Sequence, residues 1–281
     1  MNLFIFGMGY TSKVIAARLR AAGWEVSGTG REGTVRFEDR EAVLAALAGA
    51  SHVLSSVPPA REGGDPVLDA YAKALTATPA KWIGYLSSTG VYGDTGGAWV
   101  DETAEVGTGR RSARTSADLA WQALDDRVRV FRLPGIYGPG RSALDRVREG
   151  VAKRIALENQ VFSRVHVEDI AGGVIAGLDG PAGVYNLSDD EPSSQNVVIE
   201  EAARLMGRAP PRMQTLEEAA LSPMALAFYA ENRRVANGKA KRVLGWRLRY
   251  PTYREGLRAL SATTSPIIAS VAPAPARSDQ R

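Results

Sequence analysis

The sequence contains no cysteine and only two histidines in 281 residues. The lack of cysteine excludes disulfide bonds, thiolate nucleophiles and cysteine-ligated metal sites. His52 and His166 are too few and too far apart along the chain to predict a metal site. The adjacent carboxylates at residues 189–191 share one predicted loop, whereas a hard cation needs ligands that converge in space. We therefore predict no bound metal.

Long apolar runs are also missing, since no segment approaches the ~20 residues that cross a bilayer. The first residues predict a strand rather than a signal peptide. The formal net charge of +4 is small for this length, and no basic stripe interleaved with aromatic residues is present. We therefore expect a cytoplasmic protein that acts on a small molecule and binds neither membranes nor nucleic acid.

The strongest positive signal lies in the first twelve residues. Residues 3–6 are an apolar run typical of a strand buried on both faces, and a glycine pair and a helical pattern follow at once. A strand, a Gly-x-Gly turn and a helix build a dinucleotide phosphate site, because the glycines let the backbone approach the pyrophosphate and the helix N-terminus offers free N–H groups. The alternative is an ordinary turn that binds nothing. The predicted phosphate site comprises Gly7, Gly9, Tyr10, Thr11 and Ser12.

Ser12 stands at the third position of this fingerprint, where glycine or alanine is more usual. Serine is small enough for close packing of helix on strand, and its hydroxyl can cap the helix or donate to phosphate. Later along the chain, Ser55, Ser56 and Val57 end a predicted strand with small side chains. We predict that these three residues lie against the cofactor ribose.

Arg31 follows the second predicted strand at a point that distinguishes the two nicotinamide cofactors. An NAD site usually places an acidic side chain about 20 residues past the glycines, where it holds the ribose 2′-hydroxyl. A guanidinium is instead suited to a 2′-phosphate. We predict NADP, with NAD as the alternative cofactor and a solvated loop arginine as the alternative interpretation.

Short apolar strands alternate with helical patterns over the first half of the chain, which predicts a parallel sheet covered by helices on both faces. Ligands of such sheets bind beyond the carboxyl ends of the strands. From residue 141 onward helices and connectors dominate. The predicted strands are 3–6, 24–28, 34–37, 52–57, 81–87 and 128–132, and the predicted helices include 40–47, 66–77, 116–125, 142–149, 167–178, 197–206 and 216–231.

Five further motifs stand in a fixed order. They are Ser-Ser-Thr-Gly-Val-Tyr-Gly at 87–93, Leu-Pro-Gly-Ile-Tyr-Gly-Pro-Gly-Arg at 133–141, Val-His-Val-Glu-Asp at 165–169, Gly-Val-Tyr-Asn at 183–186 and Val-Leu-Gly-Trp at 243–246. With these motifs the chain resembles the extended short-chain dehydrogenase/reductases, also called the NAD-dependent epimerase/dehydratase family, over about residues 2–260. The opening Gly-x-Gly-x-x-Ser is tighter than the usual family fingerprint and suggests an atypical, YeeZ-like branch.

The resemblance implies an oxidoreductase or epimerase that acts on a hydroxyl- or carbonyl-bearing substrate, with sugar-related compounds as one class. It implies that Ser88 hydrogen-bonds the reacting oxygen, and that Pro134 and Ile136 lie in a turn near the nicotinamide. Family members often dimerise through helices beside the active site, so a homodimer is also implied.

The expected fold is α/β: a Rossmann-type, doubly wound parallel sheet with a smaller, mainly helical C-terminal substrate lobe. The expected NAD(P)-binding domain spans residues 1–140, with 165–188 returning to it. Residues 141–260 are expected to form most of the substrate-binding lobe. Residues 261–281, rich in alanine, proline and serine, are expected to be a disordered tail.

The family's Tyr-x-x-x-Lys pair is missing, because no tyrosine lies between Tyr92 and Tyr137. In the family, the lysine lowers the pKa of the tyrosine, which exchanges a proton with the substrate as hydride moves. If Asp118 matches the acidic residue four places after the family's lysine, Arg110 and Arg114 take the tyrosine and lysine positions. Arginine stays protonated at any accessible pH and is a poor acid or base.

Three hypotheses follow from this loss. Tyr92 or Tyr137 supplies the proton, or the arginines bind an anionic substrate whose reaction needs no tyrosine, or the protein binds NADP without turnover and reports the cofactor state to a partner. A solvated helix entrance explains the arginines equally well. The predicted catalytic residues are Ser88 and Tyr92, and the predicted substrate-binding residues are Arg110, Arg114, Tyr137 and Arg141.

Overall fold

Strands of the central sheet alternate with helices along the chain. In this computed structural model the residues described are 1–60, 62–107, 112–223, 226 and 229–264. The strands are β1 (Asn2–Phe6), β2 (Glu25–Gly28), β3 (His52–Ser55), β4 (Trp82–Ser88), β5 (Trp99–Val100), β6 (Val128–Leu133), β7 (Gly135–Tyr137), β8 (Arg154–Ile155), β9 (Arg164–His166), β10 (Gly183–Asn186), β11 (Met213–Gln214) and β12 (Arg234–Val235). The helices are α1 (Tyr10–Ala21), α2 (Arg40–Gly49), α3 (Pro66–Ala77), α4 (Ser112–Leu124), α5 (Ala143–Arg148), α6 (Val167–Ala176), α7 (Gln195–Leu205), α8 (Gly238–Leu244) and α9 (Tyr253–Thr264).

Six of the strands form one parallel sheet in the order β10-β6-β4-β3-β1-β2. The chain leaves β1 for β2 on one side and later returns to β3 on the other. Such a reversal opens a crevice beyond the carboxyl ends of the strands, which is where doubly wound sheets bind ligands. Within the described ranges, none of the helices has the length and apolar character to cross a membrane.

Alternating residues of β1 reach opposite faces of the sheet, as a strand's period of two requires. Leu3 and Ile5 pack against α1 and α6, whereas Phe4 and Phe6 pack against α2, α3 and α4. The apolar run is therefore buried on both faces, as the sequence predicts. A separate cluster of buried side chains joins α5, α7 and α9 beside the sheet. The predicted α/β fold with a helical C-terminal part is confirmed.

The structure corrects three local predictions. Residues 34–37 do not form a strand and contribute only one isolated bridge between Thr29 and Val35. Residues 216–220 form turns rather than the start of a helix, and part of the predicted helix at 216–231 lies outside the described residues. Helix α9 continues to Thr264, past residue 261 where the predicted tail begins, and residues 265–281 are not described.

Candidate functional site

The turn between β1 and α1 fits a phosphate group. Gly7 has a φ of +87°, and a Cβ there would lie 3.0 Å from the Ser56 Oγ. Gly9 is the N-cap of α1, has no capping side chain, and faces open space where its Cβ would stand. The first backbone bond of α1 runs from the Lys13 N–H to the Gly9 carbonyl at 3.0 Å. The backbone N–H groups in the first turn of α1 and the positive end of the helix dipole are therefore available to an anion.

The side chain of Ser12 is fully buried and holds this turn in place. Its hydroxyl donates to the Ser56 Oγ at 2.8 Å, and the Ser56 hydroxyl donates to the Gly7 carbonyl at 2.6 Å. The Ser12 hydroxyl therefore does not cap the helix, whereas its contact with phosphate stays a prediction. This side chain instead ties α1 to the segment that follows β3.

A cavity of about 410 Å³ lies beside the turn, at the carboxyl edge of the sheet; we call it the first cavity. Several predicted site residues line it, namely Gly9, Tyr10, Thr11, Ser56, Ser88, Arg114, Pro134, Ile136 and Arg141. Other predicted residues do not line it, namely Gly7, Ser12, Arg31, Ser55, Val57, Tyr92 and Tyr137, and Arg110 lies outside the described residues.

Ser88 and Arg114 bring hydrogen-bond donors to the wall of the first cavity. Ser88 ends β4, and its Oγ accepts a bond from the Gly90 N–H at 3.1 Å, which leaves its own O–H proton for another acceptor. Arg114 reaches the cavity from the first turn of α4 and is half-buried. A guanidinium carries five N–H donors and no acceptor. The pair can therefore stabilise negative charge on an oxygen.

A buried polar network supports this wall from behind. Asp118 is fully buried and accepts two bonds from Arg132, at 2.7 and 3.1 Å, and one from the Ser87 hydroxyl at 2.5 Å. Arg132 also donates to the Tyr92 hydroxyl at 3.0 Å, and that hydroxyl donates to the Asn186 Oδ1 at 2.8 Å. The network joins β4, α4, β6 and β10, and so it connects the two elements that carry Ser88 and Arg114.

No family model matches the chain. A solved protein of unknown function from Silicibacter pomeroyi DSS is 42% identical, with a TM-score of 0.83, and the match covers 94% of this chain and 99% of that one. Protein YeeZ of Escherichia coli (strain K12) is 29% identical over 243 residues, which are 75% of this chain and 85% of YeeZ. The chain is therefore similar to YeeZ over most of its length, and its fold is epimerase-like.

Two further proteins that resemble this chain have names that state a family or an activity. The human epimerase family protein SDR39U1, solved with NADPH, has a TM-score of 0.75 at 17% identity, and covers 93% of this chain and 99% of that one. A 3-diazoavenalumate denitrifying reductase from Streptomyces sp is 33% identical over 143 residues. That match spans 46% of this chain and less than half, 45%, of the reductase.

The two tyrosines considered as proton donors do not meet Ser88 in the first cavity. Tyr92 is 1% exposed, does not line the cavity, and has its hydroxyl bonded to Arg132 and Asn186. Burial raises the pKa of Tyr92, which opposes ionisation. Tyr137 does not line the first cavity either. The geometry therefore gives no support to the prediction that Tyr92 is the catalytic proton donor, which stays a prediction.

Sequence reasoning missed the far wall of the first cavity. Glu231 and Arg233 form an ion pair at 2.9 Å there, and the Ser163 Oγ accepts from the Val235 N–H at 2.9 Å. These residues come from segments of the C-terminal part that carry no motif of their own. Only the tertiary fold brings them opposite the glycine turn, so no sequence signal identified them.

A second cavity, of about 420 Å³, adjoins the first under the helical part of the chain. The two cavities share a wall made by Gly135, Ile136, Arg141, Phe162 and Ser163. Tyr137, predicted to bind substrate, lines the second cavity with Arg164 and Tyr253. The cleft of this epimerase-like protein is therefore longer than the first cavity alone.

Replacing Asp189, which follows β10 close to the second cavity, by asparagine should flatten the pH dependence of stability. Burial raises the pKa of Asp189 from 3.8 to about 8, although the nearby Arg164 lowers it and Asp190 and Glu191 raise it. The folded chain then keeps a proton that the unfolded chain releases above about pH 4. The free energy of unfolding therefore falls as the pH rises from that point to about 8, with a slope approaching ~1.4 kcal/mol per pH unit.

Urea unfolding of wild type and Asp189→Asn at several values between about pH 5 and pH 8 measures this effect. Asparagine keeps the acceptor that Asp189 offers to the Glu191 N–H at 3.3 Å and has no proton to lose. The wild type should lose stability across this range while the variant stays nearly constant. A variant that is less stable than wild type by the same amount at every pH would instead show that Asp189 is ionised.

Proposed function

We propose that this protein binds NADP(H) and is an oxidoreductase, or an epimerase-like enzyme, acting on a hydroxyl- or carbonyl-bearing substrate. One observation carries the proposal: the uncapped N-terminus of α1, Ser88 and Arg114 all line the first cavity. The name of the Streptomyces reductase and the NADPH in the human structure support the same chemistry. A sugar-related substrate and a location in the cytoplasm remain predictions.

In this proposal different residues of the chain bind the cofactor and stabilise the reacting oxygen of the substrate. The N–H groups at the start of α1 bind the pyrophosphate, while Pro134 and Ile136 provide an apolar wall for the nicotinamide. When bound, the cofactor gives or takes a hydride at the substrate carbon. Ser88 donates a hydrogen bond to the substrate oxygen, and Arg114 stabilises the negative charge that grows there. Since arginine cannot release its proton, solvent water gives the proton that the reduced oxygen takes up and is left as hydroxide.

Replacing Arg31 by alanine should weaken NADPH binding about tenfold and change NADH binding little, because only NADPH carries the 2′-phosphate. Arg31 is exposed two residues after Thr29. Thr29 contacts the phosphate turn, since its hydroxyl accepts from the Gly7 N–H at 3.1 Å and its carbonyl from the Met8 N–H at 2.7 Å. Calorimetric titration of wild type and variant with both cofactors measures the difference. Arg36→Ala, an exposed arginine in the same segment, is the control. An equal loss for both cofactors would contradict the NADP assignment.

The test of the proposed function is titration of the full chain with NADPH and with NADH, followed by a scan of carbonyl compounds while the absorbance of the reduced cofactor is recorded. We expect NADPH to bind more tightly than NADH and a subset of carbonyl compounds to oxidise it. If neither NADPH nor NADH binds, the proposal is overturned.

A non-catalytic NADP sensor is the second candidate. The observation that favours it is the lack of the family's tyrosine–lysine pair, because neither Tyr92 nor Tyr137 contributes its hydroxyl to the first cavity. Tight NADPH binding without oxidation by any carbonyl compound would support the sensor. Turnover that is lost in a Ser88 variant would support the enzyme.

A further inference from the structure

Glu231 is the one carboxylic acid among the described residues that line the first cavity. The arginines that line it stay protonated at any accessible pH and cannot exchange a proton with a substrate. The tyrosine of this cavity, Tyr10, donates its hydroxyl to the Pro139 carbonyl at 3.1 Å, and burial raises the pKa of that hydroxyl. Glu231 is therefore the lining residue best suited to exchange a proton.

The two oxygens of the Glu231 carboxylate have different surroundings. Its Oε2 accepts a hydrogen bond from the Arg233 Nη1 at 2.9 Å, which compensates a negative charge on a side chain that is 8% exposed. Its Oε1 makes no hydrogen bond in the described part of the chain, and it is not one of the unpartnered atoms that are shielded from solvent. Oε1 therefore keeps surface that a water or a substrate in the first cavity can reach.

Hydrogen bonds through the turn after β4 connect Glu231 with Ser88. The Arg233 Nη1 that holds Glu231 also donates to the Gly93 carbonyl. The Gly93 N–H donates to the Gly90 carbonyl at 3.3 Å, and the Gly90 N–H donates to the Ser88 Oγ at 3.1 Å. The cavity volume of about 410 Å³ is typical of a site for one small ligand, so a bound substrate lies near both residues.

The segment that carries Glu231 is held against the segment that follows β4. The Asn232 N–H donates to the Asp94 Oδ1 at 2.8 Å, and Arg234 pairs with Trp99 where β12 meets β5. A group that exchanges a proton has to stay in a fixed position relative to the substrate. These backbone contacts provide that position for Glu231.

We propose that Glu231 exchanges the substrate proton, in place of the family's missing tyrosine; this rests on the proposed function and replaces solvent water in it. When a hydroxyl compound is oxidised, its O–H bond breaks and the proton goes to the Glu231 Oε1. The C–H bond breaks as well, its hydrogen leaves with both electrons for the oxidised nicotinamide cofactor, and a carbonyl forms. In the reverse direction protonated Glu231 gives the proton to the substrate oxygen, so no hydroxide is left.

Steady-state rates of Glu231→Gln, measured with the substrate found in the carbonyl scan, test this role. Glutamine keeps an acceptor for Arg233 but cannot exchange a proton, so kcat should fall about 100-fold or more. The NADPH affinity, measured by calorimetric titration, should stay within about twofold of wild type, because the pyrophosphate binds at α1. The matched control is Glu201→Gln, since the Glu201 side chain is 9% exposed, pairs with Arg204 at 2.7 Å and lines neither cavity.

Chemical rescue separates proton exchange from a structural role of the ion pair. Glu231→Ala should be as slow as Glu231→Gln, and added formate, a small carboxylate that fits the vacated space, should raise its kcat about tenfold. Formate should leave the rates of wild type and Glu201→Gln unchanged. A Glu231→Ala rate that formate does not raise would contradict the proposal.

The wild type separates failure of this proposal from failure of the proposed function. If the wild type turns over no carbonyl compound, both are overturned. If it does and Glu231→Gln loses no more activity than Glu201→Gln, only the role of Glu231 is overturned. Should Glu231→Gln fail to fold, Glu231→Asp decides, because it keeps the charge and moves the carboxylate by one methylene group. Its kcat should then fall about tenfold, and an unchanged kcat would overturn the role.

Discussion

Replacing Asp118 by alanine is expected to lower the free energy of unfolding by about 3–5 kcal/mol. Asp118 is fully buried and balances the charge of Arg132, which is 3% exposed. Removing the carboxylate leaves a buried guanidinium without a counter-ion, and it also takes away the acceptor of the Ser87 hydroxyl. Urea unfolding at neutral pH measures the loss.

The matched control for this prediction is Asp190→Ala. Asp190 pairs with Lys241 at the surface, where an ion pair contributes about 1 kcal/mol or less. The Asp118 variant should therefore lose several times more stability than the control. A loss for Asp118→Ala no larger than that of Asp190→Ala would show that the buried network adds little to folding.

The second large effect is expected on catalysis. Once the carbonyl scan identifies a substrate, Ser88→Ala and Arg114→Gln should each reduce kcat/KM by about 10²–10³, because each removes a donor from the charge that develops on the substrate oxygen. The affinity for NADPH should stay within about twofold of wild type, since the pyrophosphate contacts lie at α1. Steady-state rates and cofactor titrations on the same preparations separate the two quantities.

Tyr92→Phe serves as the comparison for the catalytic variants. Its hydroxyl belongs to the buried network, so the variant should lose about 1 kcal/mol of stability and retain most of its activity. A pH profile of kcat that changes in Tyr92→Phe but not in Arg114→Gln would contradict the proposed mechanism. It would return the proton-donor role to the tyrosine.

Much of the fold and of the cofactor half of the site could be predicted from the sequence. The Gly7/Gly9 turn follows from glycine spacing and the apolar run before it, and both are local properties of the chain. The residues after β3, β4 and β6 could be located because parallel strands direct their carboxyl ends to one edge. Ser56, Ser88 and Pro134 accordingly meet in the first cavity.

Side-chain roles that depend on long-range partners could not be predicted in this way. The Ser12 hydroxyl donates to Ser56, a residue 44 positions away. The prediction that Tyr92 donates a proton rests on a local motif. Its hydrogen-bond partners Arg132 and Asn186 belong to later strands, which the motif does not show. Arg164 directly precedes the motif at 165–169 in β9, and only the fold shows that its side chain is buried.

The serine pair behind the glycine turn also has a consequence for evolution. Ser12 donates to Ser56, and Ser56 donates to the Gly7 carbonyl, so a change at position 12 leaves the other hydroxyl with an unfilled acceptor site. Effects of substitutions at two such residues are not additive. The two positions should therefore covary among homologues.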